Sequence, residues 1–252
     1  MQIVSLSFFR FATAGRRAWA FAQMGLSRGA FRAVDGAGFV KMFGSGTGAG
    51  FTPLPNLSVY AVLSTWETME EATAATARAQ PFARYRDRAA EAWTVYLTPI
   101  SSRGRWDGQA PFTVDDPQPT AAPLAVLTRA TIRPSKALSF WKHEPAISRT
   151  IAENADVFFK AGVGEVPWLQ QVTFSIWPNM RAMSAFAYRS LPHYRAIRAV
   201  RQGDWFREEL FARFAVIDCA GTWDGVDPLA ACRNQIAERA EDYVNHDRLA
   251  AQ

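Results

Sequence analysis

"GRWDG" at residues 104–108 returns as "GTWDG" at residues 221–225, placing Trp106 and Trp223 117 positions apart. A five-residue match decides little by itself, so the chain before each copy has to be compared. An apolar run of strand length and composition leads into each one, "WTVYLTPI" at residues 93–100 and "LFARFAVID" at residues 210–218. Further back stand two more strand-like runs that both end in tryptophan, "SVYAVLSTW" at Trp66 and "QVTFSIW" at Trp177. A helix-like stretch follows each of those tryptophans, and a proline comes 15 residues after each, Pro81 and Pro192. Upstream, "FGSGTG" from Phe43 matches "FKAGVG" from Phe159, with Gly46 and Gly48 opposite Gly162 and Gly164. The opening runs also correspond, "IVSLSFFRF" and "LAVLTRATIRP", each followed by a helix-like segment with a tryptophan, Trp19 and Trp141.

Each half therefore reads strand, helix, strand, strand, helix, strand, the split βαβ order of a ferredoxin-like unit. The fold expected is α+β: two tandem ferredoxin-like halves packed as a single-chain version of a dimeric α+β barrel, with a helical tail at the C-terminus. The halves are residues 1–108 and 125–225, joined by a proline-rich linker over 109–124 and followed by the tail over 226–252. In the tail Ile236, Ala240, Tyr243 and Val244 fall at helical spacing. Pairing of two such sheets is expected to enclose one large apolar cavity between sheets and helices. Each WDG then marks the end of a closing strand, where Asp and Gly suit a turn and Trp caps the core. The string "GSGTGAG" at residues 44–50 has a superficial dinucleotide-loop look but lacks the strict spacing, and is read as a hairpin connection.

Composition bounds the function. The 252 residues carry 28 Lys and Arg against 23 acidic residues, a net charge of +5, with no basic run of five. That scatter argues against nucleic acid as a partner; it is compatible with an acidic protein partner or an anionic membrane surface. Cys219 and Cys232 make neither a disulfide framework nor a metal spacing, and the cytoplasm is the default compartment. The N-terminal run has its basic residues after the apolar stretch, unlike a secretory signal, and no apolar run approaches the roughly 20 residues that span a bilayer. A membrane-dissolved substrate would be reached by peripheral contact.

Aligning the halves on Pro81 and Pro192 sets His193 where the first half has Phe82. Only His143, His193 and His246 occur, so this exchange is pointed. His193 reads either as a satisfied histidine at a helix start or as a metal ligand. Near a helix N-terminus the macrodipole keeps imidazole neutral, the form that binds haem iron. Ile197 and Val200 share its face, while Arg195, Arg198 and Arg201 project elsewhere, as a solvated face or as partners for the two propionates of a haem. Arg129 and Arg133, on the first strand of the second half, are candidate polar groups beside bound oxygen, with solvent as the alternative. Glu208 and Glu209 in "FREELFARF" sit beside arginines, and surface ion pairs account for them as well as catalysis does.

Long stretches carry a resemblance: "RAWAFAQMGL" at 17–26, "GSGTGAGFTPLPN" at 44–56, "LTRATIRPSKALSFW" at 127–141, "GVGEVPWLQQVTFSIWP" at 162–178 and "WFREELFARFAV" at 205–216. Over about residues 1–229 the chain resembles the spheroidene monooxygenase family of carotenoid oxygenases. The resemblance implies a haem b enzyme of photosynthetic bacteria that uses O2 and reduced ferredoxin. Its reaction would place a ketone at C-2 of an acyclic, methoxylated carotenoid by successive hydroxylation and loss of water. His193 lies within the matched region and is the residue carried forward as ligand. Two other readings stand beside it: a haem-dependent dehydratase or peroxidase, which consumes no external reductant, and a non-catalytic carrier of haem or an apolar ligand. Relatives acting on other carotenoids leave the substrate open.

Overall fold

The computed structural model describes residues 1–47, 52, 54–115, 123–142, 157–189 and 204–232. In chain order the elements are β1 (Ile3–Arg10), α1 (Ala14–Leu26), α2 (Arg28–Arg32), β2 (Val40–Gly46), β3 (Pro55–Trp66), α3 (Met69–Arg78), α4 (Gln80–Arg86) and β4 (Glu91–Gly104). After them come β5 (Leu124–Ile132), a 3-10 turn at Pro134–Lys136, β6 (Phe159–Gly164), β7 (Gln170–Trp177), α5 (Met180–Arg189), β8 (Phe206–Gly221) and a 3-10 turn at Ala230–Cys232.

The eight strands close into an antiparallel barrel in the order β1-β3-β2-β6-β7-β5-β8-β4. Within it the first four strands run β4-β1-β3-β2 and the last four β8-β5-β7-β6, the same pattern twice. The two junctions differ greatly in extent. β4 and β8 pair from Trp93↔Gly221 to Gly104↔Leu210, with register shifts at Tyr96/Leu97 and around Pro99, whose ring removes a donor from the ladder. β2 and β6 meet through only Gly44↔Gly164 and Ser45↔Val163.

Local chemistry accounts for the elements. β1 is buried on both faces: Val4, Leu6 and Phe8 point into the barrel, Ile3 and Phe9 toward the helices. Thr13 caps α1 by accepting from the Arg16 N–H. Thr68 and Glu71 form a reciprocal capping box at the start of α3, and Pro81 stands in the first turn of α4, which needs no donor there. Phe82 on α4 is buried between the Phe31 and Trp66 rings. Of "GSGTGAG", Gly44, Ser45 and Gly46 end β2, where Gly46 pairs with Pro55 of β3; residues 48–50 lie outside the described residues.

The barrel lumen is filled with rings; the space between sheet and helices of the second half, where a large cavity is expected, involves segments outside the described residues. Phe159 lies 4.4 Å from Trp93 and 5.0 Å from Phe8, and Trp223 closes on Phe8 at 5.8 Å (centroid distances). Both flanking segments contribute plugs. In the expected linker, Phe112 packs edge-on to Phe214 at 5.0 Å, and the Thr113 N–H donates to the Gln2 side chain. At the start of the expected tail, Leu229 is fully buried in the same cluster. Phe112 and Leu229 each stand six residues beyond a WDG tryptophan. One alignment needs correction: Phe159 pairs beside Trp177 as Phe39, not Phe43, lies beside Trp66, so the two glycine strings are four residues out of register. Among the described residues no helix is long and apolar enough to cross a membrane.

Candidate functional site

The two WDG motifs are two-residue hairpin turns. Asp107 and Gly108 have φ of 51° and 75°, Asp224 and Gly225 of 56° and 77°, and Trp106 and Trp223 bridge to Gln109 and Val226. Successive positive φ values are the type I′ geometry that Asp-Gly favours. Each turn is gripped by the other half. The Asp107 and Gly108 N–H groups donate to Glu208 at 2.9 and 2.7 Å, while Gly225 N–H donates to Glu91 at 2.7 Å. Glu91 and Glu208 each precede their own half's tryptophan by 15 residues, so the exchange is reciprocal.

Arginines complete both grips. Arg129, fully buried, ion-pairs Glu208 and lies 3.0 Å from Asp107. Arg10, a third exposed, reaches Asp224 at 2.6 Å and Glu91 at 3.1 Å and stacks over Trp223 at 4.2 Å. Lys41 joins the first turn, pairing Asp107 and, at 2.9 Å, Glu165, whose carboxylate accepts from the Trp106 indole at 2.7 Å. Arg129 thus points into the barrel end with both terminal nitrogens on carboxylates, and Arg133 lies at the surface, paired with Asp204 at 3.1 Å. Glu208 was visible in the sequence only as a residue near arginines; its 15-residue offset, shared with Glu91, was the signal available.

Burial would raise the Glu208 pKa, but the N–H groups of Gly108 and Asp107 and the Arg129 guanidinium outweigh it and hold the carboxyl below 4.5. A depressed folded value contributes stability that is present above the unfolded pKa and lost as pH falls through the folded one. Glu208→Gln is therefore expected to lower the unfolding free energy at pH 7 and to flatten its decline below about pH 4.5. Urea titrations of both proteins at several pH values would show the two curves converging in acid, and parallel curves would refute the assignment.

The outer faces of the two half-sheets can be compared position by position. Ile3 pairs with Trp66 as Leu124 pairs with Trp177, and counting from there matches positions one to one. The first half places Phe9, Tyr60, Met42 and Val62 under its helices, all buried in one cluster with Phe11, Phe31 and Tyr85. The matching residues of the second half are Ala130, Gln171, Gly162 and Thr173. Side chains are smaller at these four positions, while Lys160 and Thr128 are larger than their matches Val40 and Ser7. Ser7 and Ser64 are essentially inaccessible, at 0% and 1% exposed, whereas their counterparts Thr128 and Ser175 are only half-buried. Lys160 projects on this face too, and burial pushes its amine pKa down. A flat macrocycle needs this kind of low, mostly uncharged floor beneath a ligand donated from above, so the residues present fit one. His193, Ile197, Arg195 and Arg198 lie outside the described residues, as do His143 and His246. Among the described residues no cluster of three or more His, Cys, Asp or Glu could hold a metal.

The closed eight-stranded barrel with helices on its outer face is of the dimeric α+β barrel type, and aldoxime dehydratase shares it. The solved complex of that enzyme with butyraldoxime superposes with a TM-score of 0.58 over 86% of this chain and 80% of that one, at 10% identity, which establishes likeness of fold. No family model matches the chain. Sequence relatives place it more narrowly. Spheroidene monooxygenase of Cereibacter sphaeroides is 48% identical over 230 residues, covering 91% of this chain and 71% of that protein. The enzyme of the same name from Rhodobacter capsulatus is 44% identical over 92% of this chain and 97% of its own length. A third, from Rubrivivax gelatinosus, is 38% identical over 75% of the chain. The chain belongs to the spheroidene monooxygenase family, and so to the oxidoreductases.

Proposed function

We propose that this protein is a haem-dependent monooxygenase that converts C-2 of an acyclic, spheroidene-like carotenoid to a ketone by two hydroxylations and loss of water. The observation that carries the reading is the 48% identity to a spheroidene monooxygenase across nearly the whole chain. The cut-back outer face of the second half supports the cofactor. We also read the repeated strand order as two ferredoxin-like copies, of which the second has exchanged ring packing for haem binding.

In this reading His193 donates the ligand and Ile197 packs on the macrocycle, with Arg195 and Arg198 beside its carboxylates. Ala130, Gly162 and Thr173 form the floor. Bound haem supplies activation of O2 toward a C–H bond, with electrons from reduced ferredoxin. The chain's part is to exclude water and to hold the carbon beside the C-3,4 double bond, whose allylic C–H bonds are weaker than those of an ordinary methylene. Arg129 belongs to the turn-gripping network in this account; its carboxylate partners leave it no role at bound oxygen. The substrate is taken up by peripheral contact with a membrane surface.

Protein purified with haem supplied is expected to show a Soret band that His193→Ala abolishes or shifts. No Soret band in the wild type, or the same band in the variant, would overturn the ligand assignment. Product formation that requires both O2 and a reductant separates a monooxygenase from a dehydratase of the same fold.

A further inference from the structure

Where β2 meets β6, the short junction of the barrel is overhung by α1 on one side and by the β6–β7 turn on the other. Between them runs a cleft of about 530 Å³. Its lining spans four adjacent strands, β3, β2, β6 and β7, three inter-strand spacings or roughly 14 Å. The walls are Phe21 and Met24 of α1, Leu57 and Tyr60 of β3, and Trp141 and Trp168. Phe21, Leu57 and Trp168 are 62%, 47% and 48% exposed, large apolar side chains lining the same cleft.

Three details mark this as a built site. First, Gly44 and Gly25 line the cleft, and a Cβ at either would meet nothing within 4 Å, so neither glycine is required by packing; both leave the floor open. Second, Trp168 has φ of +71°, a conformation costly for so bulky a residue, and its carbonyl is held there by the Trp141 indole N–H at 3.1 Å. Third, several polar side chains of the lining are already engaged: Ser45 on the Val59 carbonyl, Thr52 on Leu54, Asn56 on the Ser58 N–H, Arg28 Nε on the Met24 carbonyl and Glu165 on Lys41 and Trp106. Tyr60 is the lining residue that is both buried, at 2% exposed, and without a hydrogen-bond partner for its hydroxyl among the described residues; Arg28 and Gln171, also in the lining, are more exposed.

We propose that this cleft binds an extended apolar chain bearing an oxygen atom near one end, and that the Tyr60 hydroxyl donates a hydrogen bond to that oxygen. The length and the apolar walls suit a chain, and a buried donor left without a partner favours one acceptor opposite it. Burial pushes the Tyr60 pKa up to about 12, so the hydroxyl keeps its proton at any working pH. The identification of the chain as an isoprenoid rests on the carotenoid reading above; the cleft and its donor do not.

All-trans-retinol, a polyene alcohol that accepts excitation energy from tryptophan, is the probe, compared with its hydrocarbon analogue lacking the oxygen. Wild-type protein is expected to show saturable quenching by both, with the alcohol bound more tightly. Gly44→Leu should weaken both by at least about tenfold at unchanged Tm, because its side chain fills the floor. Tyr60→Phe should weaken the alcohol alone, by about fivefold. No saturable quenching, or wild-type affinity in Gly44→Leu, overturns the site; equal effects of Tyr60→Phe on both probes overturn the donor. The same titration on His193→Ala separates the two readings. Retained binding with no Soret band in any protein would sink the haem and leave the cleft, and an intact Soret band without binding would do the reverse.

Discussion

Gly104→Ala and Gly221→Ala are each expected to cost more than about 3 kcal/mol, a large share of the roughly 5–15 kcal/mol that holds an ordinary domain folded. The two glycines open the WDG motifs and have φ of 99° and 90°, a region that side-chain-bearing residues avoid. Backbone strain of that kind alone costs of order 1–3 kcal/mol. Space adds the rest. A Cβ on Gly104 would sit 2.1 Å from the Glu209 carbonyl oxygen, and one on Gly221 would sit 2.1 Å from that of Ala92. Neither oxygen can retreat alone, because both belong to the β4–β8 seam. Gly108→Ala is the internal control: its φ is also positive, 75°, but nothing lies within 4 Å of an added Cβ. It should cost only about 1–2 kcal/mol. Urea unfolding of the three variants would rank them, and equal losses at Gly104 and Gly108 would show that the close strand approach contributes nothing.

Arg129→Met is expected to destabilise by about 2–3 kcal/mol: it empties a fully buried site and leaves Glu208, one-fifth exposed, with only its two turn N–H donors, while Asp107, 44% exposed, keeps Lys41. Arg10→Met, at the equivalent turn, should cost less, about 1 kcal/mol, because Arg10 and Asp224 are 32% and 70% exposed and water screens that pair, while Glu91, 12% exposed, keeps the Gly225 N–H. The double variant Arg129→Met, Glu208→Gln should recover part of the loss by removing the stranded charge. Thermal or urea unfolding through this double-mutant cycle gives the coupling energy. Additive losses would mean that Arg129 acts through packing of its stem and not through its charge.

The element order was legible because its markers are residue types with fixed local meanings. Tryptophans end β3 and β7, Pro81 opens α4, and Asp-Gly closes each half. Register was not legible. "FGSGTG" and "FKAGVG" look alike as strings, yet hydrogen-bond pairing offsets them by four residues, and pairing depends on the neighbouring strand as much as on the string itself. The grip on the WDG turns was missed for a similar reason, since Arg129 and Glu208 are 79 residues apart and acquire meaning only when β5 and β8 lie side by side. Of the site residues, Arg129 and Arg133 are both placed on carboxylates, whereas His193, Ile197, Arg195 and Arg198 lie outside the described residues. The contrast that supports a cofactor face, Phe9 against Ala130 and Met42 against Gly162, could be read only after the strands had been matched pair by pair.

The reciprocal grips also govern how the chain reaches its native state. They join residues 101 apart between Asp107 and Glu208, 134 apart between Gly225 and Glu91, and 214 apart between Arg10 and Asp224. Contacts so distant along the chain form only after long loops have closed, and topologies dominated by them fold slowly. Most of β8 and the second turn must be in place before Glu91 finds its partner, and the first turn stays unlatched until Glu208 arrives. On the ribosome the first half is therefore expected to emerge with its closing hairpin unsecured, and closure of the barrel is expected only once the last strand has arrived.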